Sequence, residues 1–192
     1  MRIVVSGTHC SGKTTLAEDF LRRHPEYAHE PEPYEWLSEA RGADFSAELT
    51  AADVWQQLEI SVERLSRHGP GSNVIAERSP IDFLAYLEAL STLGREDTSR
   101  MLDGARDLAS RGMEQVDPLV VLPLNDDIEA PEDEDPELRD AMNLALLEII
   151  ENEWDDLSSG QVRLAEITGT REERLDALES ALRPGPASAF LR

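Results

Sequence analysis

The chain contains one lysine, Lys13, and one cysteine, Cys10, in 192 residues, and aromatic residues make up only 5%. A lone cysteine excludes an internal disulfide. No apolar run approaches the roughly 20 residues that a membrane-spanning helix needs. Basic residues are scarce, 18 against 40 acidic ones, and a formal charge of -22 repels polyanions over the whole surface. Partners of nucleic-acid or anionic-membrane type are therefore not expected. Met1-Arg2 runs directly into the strand-like Ile3-Val4-Val5 without a secretory apolar segment, so a cytoplasmic location is expected.

What is present is a set of short apolar blocks, 40% hydrophobic overall, enough for a real core. The length suits one domain, expected over residues 1–183, with a frayed tail over 184–192 after Pro184-Gly185-Pro186. Strands are expected at Arg2–Ser6, near Tyr27–Glu30, and at Asn73–Glu77, Leu119–Leu124 and Val162–Ile167. Helices are expected at Lys13–Arg23, about Ala47–Arg67, Pro80–Leu93, Glu96–Arg111, Leu138–Trp154 and Glu172–Leu182, with Pro31-Glu32-Pro33 as a break. Strands alternating with helices imply a three-layer α/β fold around a five-stranded, mostly parallel sheet. Asn125–Pro136 holds seven acidic residues and two prolines and reads as a solvated lid, continuing to about residue 140 with Arg139 as its nearby arginine. The apolar stretch Phe83–Leu90 fits either core packing or a homodimer contact.

The strongest local signal is Gly7-Thr8-His9-Cys10-Ser11-Gly12-Lys13-Thr14, which matches G-x-x-x-x-G-K-[ST] in full between a strand and a helix. Glycines in such a P-loop let backbone N–H groups turn inward around an anion, and the helix N-terminus adds the positive end of its dipole. The only lysine falls on the motif position that meets the β- and γ-phosphates. Thr14, with Thr15 less directly, offers a hydroxyl to Mg²⁺. The expected ligands are ATP or GTP with Mg²⁺. Because Lys13 is the only lysine, no N-K-x-D guanine-reading segment exists, which disfavours a GTPase.

Three further patches bear on what accepts the phosphate. Glu30-Pro31-Glu32-Pro33-Tyr34-Glu35-Trp36 puts carboxylates at a C-terminal strand end, where open α/β sheets bind ligands; one of them could take a hydroxyl proton. Gln57 and Arg64, seven positions apart, share one helix face. Glu77-Arg78-Ser79-Pro80-Ile81-Asp82 follows a buried strand, with Glu77 suited to a Mg²⁺ water and Arg78 to an acceptor or transferring phosphoryl oxygen.

This order of P-loop, Glu-Pro near Trp, Gln with Arg seven later, and Glu-Arg-Ser resembles the deoxynucleoside kinases over roughly Met1–Leu90. The resemblance implies Glu30 as general base for a sugar hydroxyl, with Glu32 also eligible because the spacing to Trp36 is shifted. It implies Gln57 on the nucleobase with Arg64 beside it, Glu77 and Arg78 serving metal and acceptor, and Asp82 near the sugar. Gly169-Thr170-Arg171-Glu172-Glu173-Arg174 is similar to the ending of small bacterial AAA-type ATP-binding proteins related to nucleotide kinases. That similarity implies Gly169 and Thr170 beside the adenine, while Thr170 also suits a helix N-cap. The expectation is an ATP-dependent kinase acting on a nucleoside or nucleotide, the alternative a P-loop ATPase or regulatory nucleotide-binding module.

Overall fold

The computed structural model describes residues 1–41, 49–124, 135–158, 160 and 162–183. Residues 125–134 of the expected lid (125–140), the tail over 184–192, and the expected helix start at Ala47 lie outside them.

The elements run β1 (Arg2–Ser6), α1 (Lys13–Arg23), β2 (Ala28–Glu30), α2 (Pro33–Arg41), α3 (Ala51–Ser66), β3 (Val74–Glu77), α4 (Pro80–Thr92), α5 (Ser99–Met113), β4 (Pro118–Val121), α6 (Pro136–Asn152), α7 (Trp154–Ser158), β5 (Arg163–Glu166) and α8 (Arg171–Leu182). The five strands form one sheet in the order β2-β3-β1-β4-β5, and every pairing is parallel. Parallel strands need crossover connections, and the helices that supply them cover both faces.

Alternation along β1 divides the core. Ile3 and Val5 face Leu16, Ala17 and Phe20 of α1 and Leu175 and Leu178 of α8. Val4 faces the larger cluster contributed by α3, α4, α5 and α6. In register, Val5 sits opposite Glu77 on β3 and Val120 on β4, so the loop after β1 leaves the middle of the sheet's C-terminal edge.

Three local outcomes differ from expectation. Pro31-Glu32-Pro33 opens a helix rather than ending order, because Pro33 supplies the fixed φ favoured in a first turn. The long helix begins at Ala51, where Thr50 and Asp53 form a reciprocal capping box. The helix expected over Leu138–Trp154 runs over Pro136–Asn152, and Trp154 instead begins a separate five-residue helix to Ser158. The Phe83–Leu90 stretch is core: Phe83, Leu84, Leu87 and Leu90 are buried against the neighbouring helices.

Candidate active site

The phosphate loop closes tightly around itself. A Cβ at Gly7 would lie 2.6 Å from both the Leu122 carbonyl and Ser11 Oγ, so only glycine fits there. Gly12 caps α1 in the left-handed region (φ 92), with no side-chain cap and no acid in the first turn. The first N–H groups of α1 are thus left for an anion, as in other helix-terminal phosphate sites. Asp82 anchors the loop's start: its carboxylate accepts from Gly7 N (2.8 Å), Ser6 Oγ (2.7 Å) and Ser79 N (2.6 Å). It is 0% exposed and so faces the loop rather than an acceptor.

Lys13 is 4% exposed and donates to the Thr8 carbonyl at 2.9 Å. Its ammonium also lies 3.0 Å from Glu32 Oε1. The other oxygen of Glu32 accepts from Arg78 Nε at 2.9 Å, and Arg78 Nη1 donates to the Gly7 carbonyl at 3.1 Å. Arg78 is 2% exposed, occupies the left-handed region at φ 68, and stacks 5.1 Å from the Tyr86 ring centroid; its Nη2 has no partner. A non-glycine residue held there costs on the order of 1–3 kcal/mol and persists only where its surroundings fix it.

One carboxylate between two cations sets the local electrostatics. Burial alone would raise the Glu32 pKa, but Arg78 and Lys13 override it and hold the carboxyl well below its usual range. Burial pulls the Lys13 ammonium below its ordinary value, and Arg78 adds to that while Glu32 pushes back. His9 is exposed at the loop surface, and its imidazole is pushed down to about 3 by its crowded surroundings and by Arg78. His9 meets Tyr86 edge to face at 6.1 Å.

The oxygen donors expected for Mg²⁺ are together. Thr14 Oγ1 donates to Glu77 Oε2 at 2.6 Å, and the other Glu77 oxygen lies 2.9 Å from His29 Nε2. A hydroxyl beside a carboxylate fits a hard cation that completes its shell with water and phosphate oxygens. Ser11 Oγ is buried without a partner inside the loop, a polar group that a bound phosphate would satisfy. From the other side, Thr8 Oγ1 donates to the Arg139 carbonyl at 3.2 Å, so the start of α6 lies over the loop. Among the described residues, Arg139 Nε lies 3.8 Å from Asp140 Oδ1, and Nε and Nη1 form no hydrogen bond.

Glu30, two residues before Glu32, belongs to a separate cluster. It pairs with Arg64 and with His68 Nε2 (2.9 Å), while Arg64 also donates to the Pro31 carbonyl at 3.3 Å and lies 6.0 Å over Trp36. Gln57 is buried on α3. The fold therefore gathers Lys13, Glu32, Arg78, Glu77, Thr14 and Arg139 around the loop, and groups Glu30, Arg64 and Trp36 beside it. At the far edge Thr170 caps α8 in a capping box with Glu173. Sequence reading missed Tyr86 and quoted Arg174 only as the end of the 169–174 stretch, without a role of its own; the burial of an arginine shows itself only in three dimensions.

A family model described as AAA domain matches residues 2–174. The chain belongs to this AAA-domain family. A search of the curated proteins finds no match. Among solved structures, the family member shares its fold with deoxyadenosine kinase from M. mycoides bound to dATP, at TM-score 0.67 and 14% identity over 95% of this chain and 99% of that one. Thymidylate kinase from Candida albicans matches at TM-score 0.65 and 16% identity over 93% and 89%. NadR protein in complex with NAD and AMP-PNP matches at TM-score 0.66 and 21% identity, over 98% of this chain but 51% of NadR. The protein is thus P-loop and nucleotide-kinase-like in fold, and no helix among its described residues is long and apolar enough to cross a membrane.

Proposed function

We propose that this protein is an ATP-dependent phosphotransferase that moves the γ-phosphoryl group to an oxygen of a small nucleoside- or nucleotide-type acceptor. The observation that carries the proposal is Glu32, whose two oxygens bridge the loop lysine and the strand-end arginine at 3.0 and 2.9 Å. A base, a phosphate-binding cation and an acceptor-side cation thereby meet at one point, as phosphoryl transfer requires of a site that works by positioning and charge. The names of the fold neighbours, deoxyadenosine kinase and thymidylate kinase, support the acceptor class. The AMP-PNP bound to NadR supports an adenine nucleotide as donor.

Donor phosphates take over Lys13 and the loop N–H groups, which leaves Glu32 with Arg78 alone. Losing one of two cationic neighbours raises the basicity of Glu32. Glu32 then accepts the proton of the acceptor hydroxyl as its oxygen bonds to the γ-phosphorus; the bond from γ-phosphorus to the β–γ bridging oxygen breaks, and ADP leaves with its charge met by Lys13. Arg78 keeps Glu32 aimed and faces the transferring group, and Arg139 on α6 supplies a further cation over the loop. Mg²⁺, held by Thr14 and Glu77 together with the phosphates, would neutralise charge on the β- and γ-oxygens.

The test is ADP release from ATP and Mg²⁺ with and without a pool of nucleosides and nucleoside monophosphates. Stimulation by the pool that disappears in Lys13→Ala is the expected result. ATP binding with no stimulation by any member of the pool would replace the kinase with a P-loop ATPase or regulatory module.

A further inference from the structure

The geometry points to Arg174 as a positioning residue that locks the phosphate loop to the turn after β5 and so makes binding of the donor's base and of its phosphates depend on each other. This rests on the nucleotide-binding reading above. Arg174 lies on the first turns of α8 and is 6% exposed. Its Nη1 donates to the Ser11 carbonyl of the loop at 2.7 Å, across 163 residues of sequence, and its Nε donates to the Gly169 carbonyl at 2.9 Å. One planar fork therefore fixes two backbone segments from different parts of the chain.

The consequence for the loop follows from peptide geometry. In a trans peptide the carbonyl of one residue and the N–H of the next point in opposite directions. Holding the Ser11 carbonyl on Arg174 therefore directs the Gly12 N–H away from Arg174, in the stretch that leads into the N-terminus of α1. The loop is held in its anion-binding shape by a contact that no ligand makes.

Topology identifies the second partner. In the order β2-β3-β1-β4-β5, the carboxylates Glu30, Glu32 and Glu77 all lie at the C-terminal ends of β2 and β3, on one side of the loop. A donor whose phosphates lie on that loop must extend its other end over β4 and β5, where Gly169 and Thr170 follow the last strand. Arg174 therefore spans the two ends of the donor.

Charge supports the assignment. In a chain with 40 acidic residues, this buried guanidinium forms no ion pair with a described carboxylate and is met by two carbonyls instead. A buried charge without a counter-charge is costly unless an anion comes near. Donor phosphates on the far side of the Ser11–Gly12 peptide bring negative charge to the loop that this guanidinium backs.

The experiment measures ATP and tripolyphosphate affinities by calorimetry for wild type, Arg174→Met and Arg174→Lys at low temperature, with melting temperatures recorded alongside. Tripolyphosphate reports the loop alone; ATP reports loop and base turn together. Loss of two hydrogen bonds from a charged donor should weaken ATP about tenfold or more in Arg174→Met and reduce the preference for ATP over tripolyphosphate by about threefold or more. Arg174→Lys keeps the charge but not the fork, so tripolyphosphate affinity should recover while the preference stays reduced. A preference equal to wild type in both variants, with only the melting temperature lowered, overturns the inference. Should the methionine variant fail to fold, the lysine variant decides alone by the same preference. Wild type that binds neither ligand would instead overturn the nucleotide-binding reading itself.

Discussion

Glu30 and Glu32 stand on either side of Pro31, and the fold gives them opposite surroundings. Glu32 is enclosed with Lys13 and Arg78 against the phosphate loop; Glu30 lies with Arg64 and His68 against α3. The three-residue strand β2 ends at Glu30, and the chain enters α2 at Pro33, so one residue of Pro31 redirects the next carboxylate into the centre of the site. The difference shows that identical side chains acquire distinct electrostatic surroundings from which cations the topology sets beside them. In the proposed function the inner cluster meets phosphate, and the outer one holds the shape of the acceptor side.

Substitutions sharpen that contrast in a definite order. Glu32→Gln should lower phosphoryl transfer by roughly 10²–10⁴-fold, the range for loss of a general base. The same change frees Lys13 from its carboxylate, so ATP affinity should stay level or rise when measured by calorimetry; a marked loss of affinity would contradict the proposed transfer of Lys13 from Glu32 to the donor phosphates. Arg78→Lys keeps the charge but not the double contact to Glu32 and the Gly7 carbonyl, and transfer should fall about 10–100-fold in steady-state assays. Glu30→Gln should change the turnover rate by less than about tenfold and act mainly on acceptor KM, because its partner Arg64 also supports Trp36 and the Pro31 carbonyl.

The smallest effect concerns pH. The hydrogen bond to Glu77 raises the pKa of His29 above its ordinary 6.5 despite partial burial. Because the folded value is the raised one, the stabilisation is complete at pH below that ordinary value and is lost as pH climbs through the folded value. His29→Gln should therefore lower the melting temperature at acidic pH and match wild type well above neutrality. A deficit that is constant across pH would contradict the ionic role of His29.

The phosphate side was legible in sequence because its parts are contiguous: the motif, the strand before it and the helix after it are consecutive, and the only lysine marks the centre. The layer order was legible because apolar blocks and turn residues alternate along the whole chain. The acceptor side depended on register. Pro31-Glu32-Pro33 read as a break where Pro33 in fact opens a helix, and the choice between Glu30 and Glu32 rests on which way the chain turns after a short strand. Asp82 has the composition of an exposed acid, but the tight approach of Ser6, Gly7 and Ser79 makes it an internal anchor. The contacts of Arg174 were illegible for a related reason: its partners Ser11 and Gly169 are carbonyls, and a backbone carbonyl leaves no mark on the identity of the residue that carries it.

The division between the two glutamates is tested most directly by single-turnover phosphoryl transfer in Glu30→Gln and Glu32→Gln, compared side by side with the acceptor that best stimulates wild type. The account predicts near-wild-type transfer at saturating acceptor for Glu30→Gln and a loss of at least about a hundredfold for Glu32→Gln, with ATP still bound by both. Equal losses in the two variants, or a larger loss at Glu30, would contradict it.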